Sequence, residues 1–250
     1  METGLRDKVV VITGAGGGIG RACAIEFAKE GAKLVLSDLN RAAAQAVADE
    51  VAASGTAVIA VQTDVSSPES VQELFDQALA TFGRVDVLVN NAGIFQSKPI
   101  AEMTPADWDQ MMAVNLRGVF LCSQAAFKIM REQRSGKIVS LGSLAGQVGG
   151  IVAGANYAVS KAGVICFTKS LAKQAGPYNI NVNCVNPGVI DTPMTRPWGE
   201  AQLQKMAAET PLRRLGKPED VAKAIVFLAS DAASFIHGAH LDINGGINMD

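Results

Sequence analysis

The sequence has few of the residues that build disulfides and metal sites. Only 4 of its 250 residues are cysteine and 2 are histidine. The cysteines show neither a C-x-x-C pair nor metal-ligand spacing, and His237 and His240 form no motif with them. We therefore expect no metal site and reduced, buried thiols. The four cysteines are Cys23, Cys122, Cys166 and Cys184.

Excess charge and long apolar runs are also missing. The formal net charge is −2, and acidic and basic residues are interspersed, so there is no basic stripe for nucleic acid and no polybasic run for anionic lipid. No apolar run approaches the roughly 18 residues of a membrane-spanning helix. The N-terminus shows no apolar core of a signal peptide. We expect a soluble, cytoplasmic protein that binds a small molecule, not nucleic acid or membrane.

Aromatic residues make up only 5% of a chain that is 48% hydrophobic, which is typical of one α/β domain with an aliphatic core. Short apolar runs alternate with Ala-rich helical stretches, as a parallel sheet covered on both faces requires. The predicted fold is a single Rossmann-type doubly wound domain, residues 1–250, with a seven-stranded parallel sheet flanked by helices on both faces. Predicted strands begin at Lys8, Lys33, Ala57, Val85, Gly136, Ile180 and His240. Predicted helices span about 18–30, 41–53, 68–82, 105–133, 156–175 and 218–229.

One stretch, residues 186–198 ("NPGVIDTPMTRPW"), matches no regular element. A long Pro-rich segment that follows a strand in a compact domain is often a substrate lid. We therefore expect a lid at about residues 186–210.

A glycine-rich turn, "TGAGGGIG", follows the first predicted strand and opens the first predicted helix. The strict G-x-G-x-x-G pattern is absent, because Ile19 stands at its sixth position; the spacing is Gly14-x-x-x-Gly18-x-Gly20. Glycines let backbone N–H groups approach a pyrophosphate, and the helix N-terminus adds partial positive charge. With Asp38 closing the second strand, the context predicts a dinucleotide site.

Asp38 bears on the choice of dinucleotide. Its carboxylate could accept hydrogen bonds from the adenosine ribose and would repel a 2′-phosphate, which carries a charge of about −1.5 to −2. No Arg or Lys interrupts "GAGGGIG" to offset that repulsion. We therefore expect NAD(H) in preference to NADP(H). The alternative is that Asp38 is a solvated turn or helix-cap residue.

Tyr157 and Lys161, in "YAVSK", stand four residues apart, so they share one helix face. An ordinary tyrosine has a pKa near 10 and is a poor base at neutral pH, but a neighbouring positive charge favours the phenolate. The pair could form an acid/base unit. Because this spacing is common by chance, an ordinary surface helix face is the alternative.

Several motifs occur together and in one order along nearly the whole chain. They resemble the short-chain dehydrogenase/reductase family, and the resemblance implies hydride transfer between a nicotinamide cofactor and a secondary alcohol or ketone. The motifs are "TGAGGGIG" from Thr13, "DV" at Asp64, "NNAG" from Asn90, "VNLRG" around Asn115, "SLGS" ending at Ser143, "YAVSK" from Tyr157, and "NPGVIDTPM" around Pro187.

The resemblance gives four residues a catalytic role. Tyr157 would be the general acid when a ketone is reduced and the general base when an alcohol is oxidised. Lys161 would lower the pKa of Tyr157 and bind the nicotinamide ribose. Ser143 would donate a hydrogen bond to the substrate oxygen, and Asn115 would hold a water that connects Lys161 to solvent. Ser140, the other nearby serine, belongs to a predicted strand and is expected to point into packing.

The resemblance also implies the cofactor contacts. Ile19 would lie beside the pyrophosphate, Asp64 and Val65 would frame the adenine, and Thr192 would bond a phosphate or the carboxamide. The simpler alternative for "NNAG" and "NPG" is a tight turn after a strand. The remaining contacts would be Asn91, Ala92 and Gly93 near the adenosine ribose, and Pro187, Gly188 and Ile190 around the nicotinamide.

The substrate pocket is expected at the carboxyl edge of the sheet, where loops follow the strands. Its candidate residues are mostly apolar with two amides, which favours a ketone or secondary alcohol of modest polarity. Arg196 could bind a carboxylate if the lid folds inward, or could simply be exposed. The candidates are Phe95, Gln96, Gln147, Ile151, Met194 and Trp198.

The C-terminal half is similar to the branch that contains 3-oxoacyl-[acyl-carrier-protein] reductases and NAD-dependent alcohol, sugar and polyol dehydrogenases. Reductases of the carrier-protein kind mostly prefer NADPH, so Asp38 favours NAD-linked alcohol oxidation, with the ketoreductase as the alternative. A non-catalytic dinucleotide sensor would be expected to lack the tyrosine or lysine, and enoyl reductases of this fold space them more widely. Helices 105–133 and 156–175 are expected to form contacts of a homotetramer.

Overall fold

A computed structural model of the protein describes residues 3–150 and 153–249. Seven parallel strands form one sheet in the order β3-β2-β1-β4-β5-β6-β7. This arrangement confirms the predicted Rossmann-type fold. The strands are β1 (Val9–Thr13), β2 (Lys33–Asp38), β3 (Val58–Gln62), β4 (Val87–Asn90), β5 (Gly136–Leu141), β6 (Ile180–Pro187) and β7 (His240–Ile243).

The helices cover both faces of the sheet. The predicted helix 105–133 is divided by a π-helical turn at Ala113–Arg117, and two further helices, α6 and α8, were not predicted. Within the described ranges, no helix is both long and apolar enough to cross a membrane. The helices are α1 (Gly18–Lys29), α2 (Arg41–Ala52), α3 (Pro68–Phe82), α4 (Pro105–Met112), α5 (Gly118–Gln133), α6 (Ala145–Val148), α7 (Ala155–Ala175), α8 (Glu200–Glu209) and α9 (Pro218–Ala229).

Strand β1 shows why the strands are almost continuously apolar. Val10 and Ile12 pack with Phe27 of α1 in one core cluster. Val9 and Val11 pack in a second cluster, on the opposite face of the sheet. Because successive strand residues point to opposite faces, and both faces carry helices, every position of β1 is buried.

The start of α4 is fixed by a capping box. The Thr104 hydroxyl accepts a hydrogen bond from the Asp107 N–H at 3.2 Å, and the Asp107 carboxylate accepts one from the Thr104 N–H at 2.8 Å. Pro105 occupies the first helical position, where no N–H donor is needed. Such caps stabilise a helix by about 1 kcal/mol, and this one fixes the end of the loop that begins after β4.

Three of the four cysteines are buried and one is exposed. Burial raises the pKa of the Cys122 thiol to about 12 and that of Cys184 to about 11. Cys23 is buried as well, whereas Cys166 is exposed on α7. The expectation of buried thiols is therefore wrong for Cys166, because that position faces outward on its helix.

Candidate active site

A cavity of about 480 Å³ opens at the carboxyl edge of the sheet. The strand order reverses between β1 and β4, and crevices at such a point bind ligands in open α/β sheets. One end of the cavity is the turn after β1, and the other lies between the start of α7 and the segment after β6. The polar and glycine residues that line it include Gly14, Gly17, Gly18, Asp38, Ser143, Tyr157, Lys161 and Thr192.

The glycine-rich turn is closely packed on its inner side and open on its outer side. Gly14 has a φ of +63°, and a Cβ there would lie 2.8 Å from the Ala92 Cα. A Cβ on Gly20 would overlap the carbonyl oxygen of Gly14. By contrast, nothing lies within 4 Å of a Cβ built on Gly17, which lines the cavity. A pyrophosphate could therefore approach the backbone of this open side, close to the N-terminus of α1.

The loop after β4 is tied to this turn. The Asn91 side-chain amide donates to the carbonyl oxygens of Thr13 at 2.9 Å and of Gly14 at 2.8 Å. The Thr13 hydroxyl in turn accepts from the N–H groups of Asn91 and Ala92, each at 3.1 Å. Asn91, Ala92 and Gly93 all line the cavity beside the glycine turn, and their contact with the adenosine ribose stays a prediction.

Asp38 lines the cavity, but its carboxylate is engaged within the protein. Oδ2 accepts a hydrogen bond from the Gly16 N–H at 3.0 Å, and Oδ1 accepts one from the Asn40 N–H at 2.9 Å. A Cβ on Gly16 would lie 2.9 Å from the same Oδ2. Asp38 therefore holds the glycine turn against the end of β2, a role that the sequence pattern did not indicate.

The two residues predicted to frame the adenine do not line the cavity. Asp64 follows β3, where its Oδ1 accepts from the N–H of Ser66 at 2.8 Å and from its hydroxyl at 2.7 Å. Val65 is buried beneath Gly118, where a Cβ would lie 2.8 Å from a Val65 methyl carbon. Their contact with a cofactor stays a prediction.

Ser143 and Tyr157 meet in the cavity. Ser143 follows β5, Tyr157 lies in the first turn of α7, and both side chains line the cavity, with the serine hydroxyl near enough to affect the pKa of the phenol. The ring of Phe95 stands edge-on to that of Tyr157, with 5.1 Å between centroids. Burial raises the pKa of the phenol, and the Ser143 hydroxyl lowers it only in part. The phenol is thus protonated at neutral pH and can donate a proton.

Lys161 lies one helical turn beyond Tyr157, and its ammonium points to the end of β5. Its Nζ donates to the Leu141 carbonyl at 2.7 Å and lies 5.8 Å from the centroid of the Tyr157 ring. Burial lowers the pKa of Lys161 to about 8, against an opposing effect of Cys184. Burial is the main influence on the phenol and raises its pKa, so the lowering of the Tyr157 pKa by Lys161 stays a prediction.

Asn115 lies in the π-helical turn and is fully buried. Its Oδ1 accepts from the Ile94 N–H at 2.8 Å, and its Nδ2 donates to the Ile94 carbonyl at 2.9 Å. A Cβ on Gly93 would lie 3.3 Å from this Oδ1 and 3.7 Å from the Nζ of Lys161. Asn115 thus stands beside Lys161 and holds the loop after β4. Its predicted water-binding role stays a prediction.

The structure separates the two candidate serines. Ser140 is buried within β5, and its hydroxyl accepts a hydrogen bond from the Asn90 amide at 3.1 Å. The same Asn90 amide donates to Ser123 at 2.9 Å. Ser140 is therefore part of the packing, as the strand pattern indicated, and Ser143 is the serine that lines the cavity.

The predicted substrate pocket is more apolar than expected. Phe95, Met194 and Trp198 line the cavity, and the rings of Phe95 and Trp198 are 5.2 Å apart. The two amides are engaged elsewhere: Gln96 donates to Asp107 at 2.8 Å, and Gln147 donates to Asp242 at 3.0 Å. Ile151 lies outside the described residues.

The segment after β6 closes the cavity against the glycine turn. Thr192 is buried, and a Cβ on Gly18 would lie 3.5 Å from its methyl carbon. Arg196 is exposed and pairs with Asp191 at 3.6 Å, so it does not point inward. The predicted residues of this segment that line the cavity are Pro187, Gly188, Ile190 and Thr192.

The amino-acid sequence is similar to one family model and to many known proteins along nearly its whole length. The family model described as "Enoyl-(Acyl carrier protein) reductase" matches residues 14–248. The chain is 41% identical to a 3-oxoacyl-[acyl-carrier-protein] reductase of Aquifex aeolicus, over 99% of this chain and 100% of the relative. It is 40% identical to the protein of the same name in Escherichia coli, over 97% and 98%, and 41% identical to a (3R)-3-hydroxyacyl-CoA dehydrogenase of Canis lupus familiaris, over 98% of each.

A solved structure from Brucella melitensis, titled "Short-chain dehydrogenase/reductase SDR:Glucose/ribitol dehydrogenase", superposes with a TM-score of 0.93 at 38% identity. The alignment covers 100% of each chain. The likeness therefore extends through every element of the sheet and its helices.

These relatives overturn the predicted preference for NAD(H). Several of them are 3-oxoacyl-[acyl-carrier-protein] reductases, the class that mostly prefers NADPH. The structure supplies a physical reason for the error. The prediction treated the Asp38 charge as fully available, whereas both carboxylate oxygens accept backbone N–H groups that offset part of it.

Proposed function

The chain belongs to the short-chain dehydrogenase/reductase family, and from that membership we propose that it reduces the keto group of a 3-oxoacyl thioester with NADPH. Family membership makes it an oxidoreductase that acts on CH–OH groups. The observation that carries the proposal is that Ser143, Tyr157 and Lys161 line one largely apolar cavity that continues to the glycine turn.

The described residues fit a dinucleotide. One continuous cavity is lined by the open side of Gly17, the backbone of Asn91 to Gly93 and the segment from Pro187 to Thr192. When bound, the cofactor supplies the hydride. On this chain, the glycine turn would hold the pyrophosphate, and Lys161 and Thr192 would hold the nicotinamide end.

The proton is supplied by Tyr157. Its raised pKa keeps the phenol protonated at neutral pH, which suits a general acid in ketone reduction. Ser143 donates a hydrogen bond to the substrate oxygen, where negative charge develops. The buried ammonium of Lys161, 5.8 Å from the ring centroid, stabilises the phenolate that remains after proton transfer.

The substrate class follows from the lining. Phe95, Met194, Trp198 and Met206 give the pocket an apolar wall suited to an acyl chain. A sugar or polyol would need several convergent polar groups, and the two nearby amides, Gln96 and Gln147, are hydrogen-bonded to Asp107 and Asp242. Oxidation of a 3-hydroxyacyl thioester is the reverse of the same reaction, and the likeness to a hydroxyacyl-CoA dehydrogenase supports it as the second candidate.

We place the 2′-phosphate of NADPH near the start of α2. Arg41 is the first residue of that helix, three residues after Asp38, and its side chain is exposed. The N–H groups of Gly16 and Asn40 partly offset the charge of the Asp38 carboxylate. The Arg41 guanidinium can supply the opposite charge that the phosphate needs.

The segment of residues 186–210 is proposed as the lid of this single domain. None of the residues of α8 is buried, although Met206 lines the cavity. Gly199, at the start of α8, has a φ of +84° that a glycine adopts without strain. A helix with so little buried surface can move without disturbing the core.

A homotetramer in the cytoplasm is the proposed state of the protein. Large apolar side chains are exposed on three neighbouring helices: Trp108 on α4, Phe120 on α5 and Val159 on α7. Such a surface suits contact with a second copy of the chain. Light scattering of the purified protein tests the assembly, with a monomer as the contrary result.

The function is tested by following absorbance of the reduced nicotinamide. The purified protein is assayed with NADPH or NADH and with 3-oxoacyl thioesters or polyols. We expect kcat/KM for the thioester with NADPH to exceed all other combinations by at least about 10-fold, equivalent to about 1.4 kcal/mol. Turnover of polyols alone would reject the substrate class, and the Tyr157→Phe variant serves as the inactive control.

A further inference from the structure

Asn156, the residue directly before Tyr157, is completely buried and makes three hydrogen bonds. Its Oδ1 accepts from the backbone N–H of Tyr157 at 2.8 Å. Its Nδ2 donates to Oε1 of Gln96 at 3.0 Å and to the carbonyl of Asp107 at 3.1 Å. One side chain therefore connects the first turn of α7 to the loop after β4 and to the start of α4.

The partners of Asn156 are themselves held in place. Gln96 donates to Oδ1 of Asp107 at 2.8 Å, and Lys98 donates to Oδ2 of the same carboxylate at 2.6 Å. The backbone N–H of Gly154 donates to the Gln96 carbonyl at 2.9 Å. With several charge-assisted bonds, these contacts fix Gln96 as a rigid support for Asn156.

The N-terminus of α7 explains why this support matters. The helix begins after Gly154, which has no side chain to cap it. The N–H groups of the first turn have no intrahelical acceptor, and Tyr157 lies in that turn. The side-chain Oδ1 of Asn156 accepts the N–H of Tyr157 from within the helix, so the backbone of the tyrosine is held directly.

The ring of Tyr157 is held by the same loop. Phe95, the neighbour of Gln96, stands edge-on to the ring at 5.1 Å between centroids. Resting on the proposed function, we infer that Asn156 is a positioning residue for the reaction, which with Gln96 keeps the phenol of Tyr157 against Ser143. Misplacement of a reacting group by about 1 Å can reduce turnover about 100-fold, so loss of this support should be visible in kcat.

The test compares Asn156→Ala with Asn183→Ala. Asn183 is also buried, and it donates to the Ile236 carbonyl at 2.9 Å and accepts from the Ala239 N–H at 3.1 Å, outside the cavity. We expect kcat to fall roughly 10- to 100-fold in Asn156→Ala, with KM and the Kd for NADPH within about 2-fold of the parent. Asn183→Ala should lower the melting temperature and leave kcat unchanged.

A second measurement needs no substrate. The chain has only two tyrosines, so in a Tyr178→Phe background the phenolate absorbance reports Tyr157 alone. Because burial is the main cause of the raised pKa, loosening the ring should move the pKa of Tyr157 back toward its ordinary value in Asn156→Ala and not in Asn183→Ala. This titration remains valid if the protein proves not to reduce 3-oxoacyl thioesters, so the two proposals can fail separately.

If Asn156→Ala does not fold, Gln96→Leu removes the support from the loop side and leaves α7 untouched. As with Asn156→Ala, kcat should fall while KM stays nearly unchanged, and the pKa of Tyr157 should move toward its ordinary value. Turnover within about 2-fold of the parent, or a phenol titration identical to that of Asn183→Ala, would show that Asn156 contributes only to stability.

Discussion

The two ends of the cavity are built differently. At the end that we propose is catalytic, Ser143, Tyr157 and Lys161 present their side chains to the cavity. At the glycine-turn end, the surface is mainly backbone, and the one acidic side chain, Asp38, is engaged with Gly16 and Asn40. Residue identity therefore predicts the chemistry at the first end. Selectivity at the second depends on which charges remain available after internal hydrogen bonds form.

The largest effect is expected at the catalytic end. Tyr157→Phe removes the proton donor and should lower kcat by at least about 100-fold, while the fold and the Kd for NADPH are retained. Single-turnover kinetics measures the loss of the chemical step. Quenching of protein fluorescence on titration with NADPH measures the Kd. Tyr178→Phe, which alters a ring packed against Phe127, is the matched control and should keep activity. An active Tyr157→Phe enzyme would contradict the assignment.

At the glycine-turn end the expected effect is smaller and depends on the cofactor. Arg41→Ala should raise KM for NADPH about 10-fold, because a charge-assisted hydrogen bond contributes about 1.5 to 3 kcal/mol. KM for NADH should be unchanged, since NADH has no 2′-phosphate. Steady-state kinetics with both cofactors measures the difference. Equal changes for the two cofactors would show that Arg41 does not contact the phosphate.

The lid should have a still smaller effect. Trp198→Ala removes one ring of the pair with Phe95, and such pairs contribute about 0.5 to 1.5 kcal/mol. We expect KM for a long-chain 3-oxoacyl thioester to rise about 2- to 10-fold, with little change for a short-chain one. Phe235→Ala, a substitution of a fully exposed ring outside the cavity lining, is the control. A rise that is independent of chain length would show that Trp198 does not contact the acyl chain.

The last prediction concerns stability and pH, not turnover. The pKa of Lys161 is lowered from 10.5 to about 8 in the folded protein, so between these values the unfolded chain binds more protons. The free energy of unfolding of the parent should therefore rise with pH across that window, relative to Lys161→Met. Denaturant unfolding at pH 7.5, just below that window, and at pH 9.5, within it, measures this difference. A difference that stays constant would show that Lys161 titrates normally in the folded protein.

The fold was predictable because burial on both faces of the sheet leaves an unambiguous pattern. All seven strands are short apolar runs, and the six predicted helical stretches are present. Helix α6 has only four residues, and α8 buries none, so neither shows the periodicity of a core-facing helix. The π-helical turn leaves no sign in the apolar pattern of residues 105–133.

The meeting of Tyr157 and Lys161 in the cavity was predictable because the two residues are close in sequence and stand on one helix. Asn156 was missed although it adjoins Tyr157, because its partner Gln96 is 60 residues away and a single asparagine carries no pattern. The cofactor preference failed for a similar reason. No sequence pattern shows that Asp38 accepts a hydrogen bond from Gly16, 22 residues earlier.

The π-helical turn at Ala113–Arg117 has a consequence for how the chain tolerates insertions and deletions. Such a turn accommodates one residue more than a regular α-helix, and each residue of an α-helix advances the side-chain direction by about 100°. Deletion of a single residue there would leave an unbroken helix but rotate α4 by about that angle relative to α5. Asp107 would leave Lys98 and Gln96 even though no contacting residue had been changed. A one-residue change in length at this turn would therefore break contacts made by residues that lie outside it.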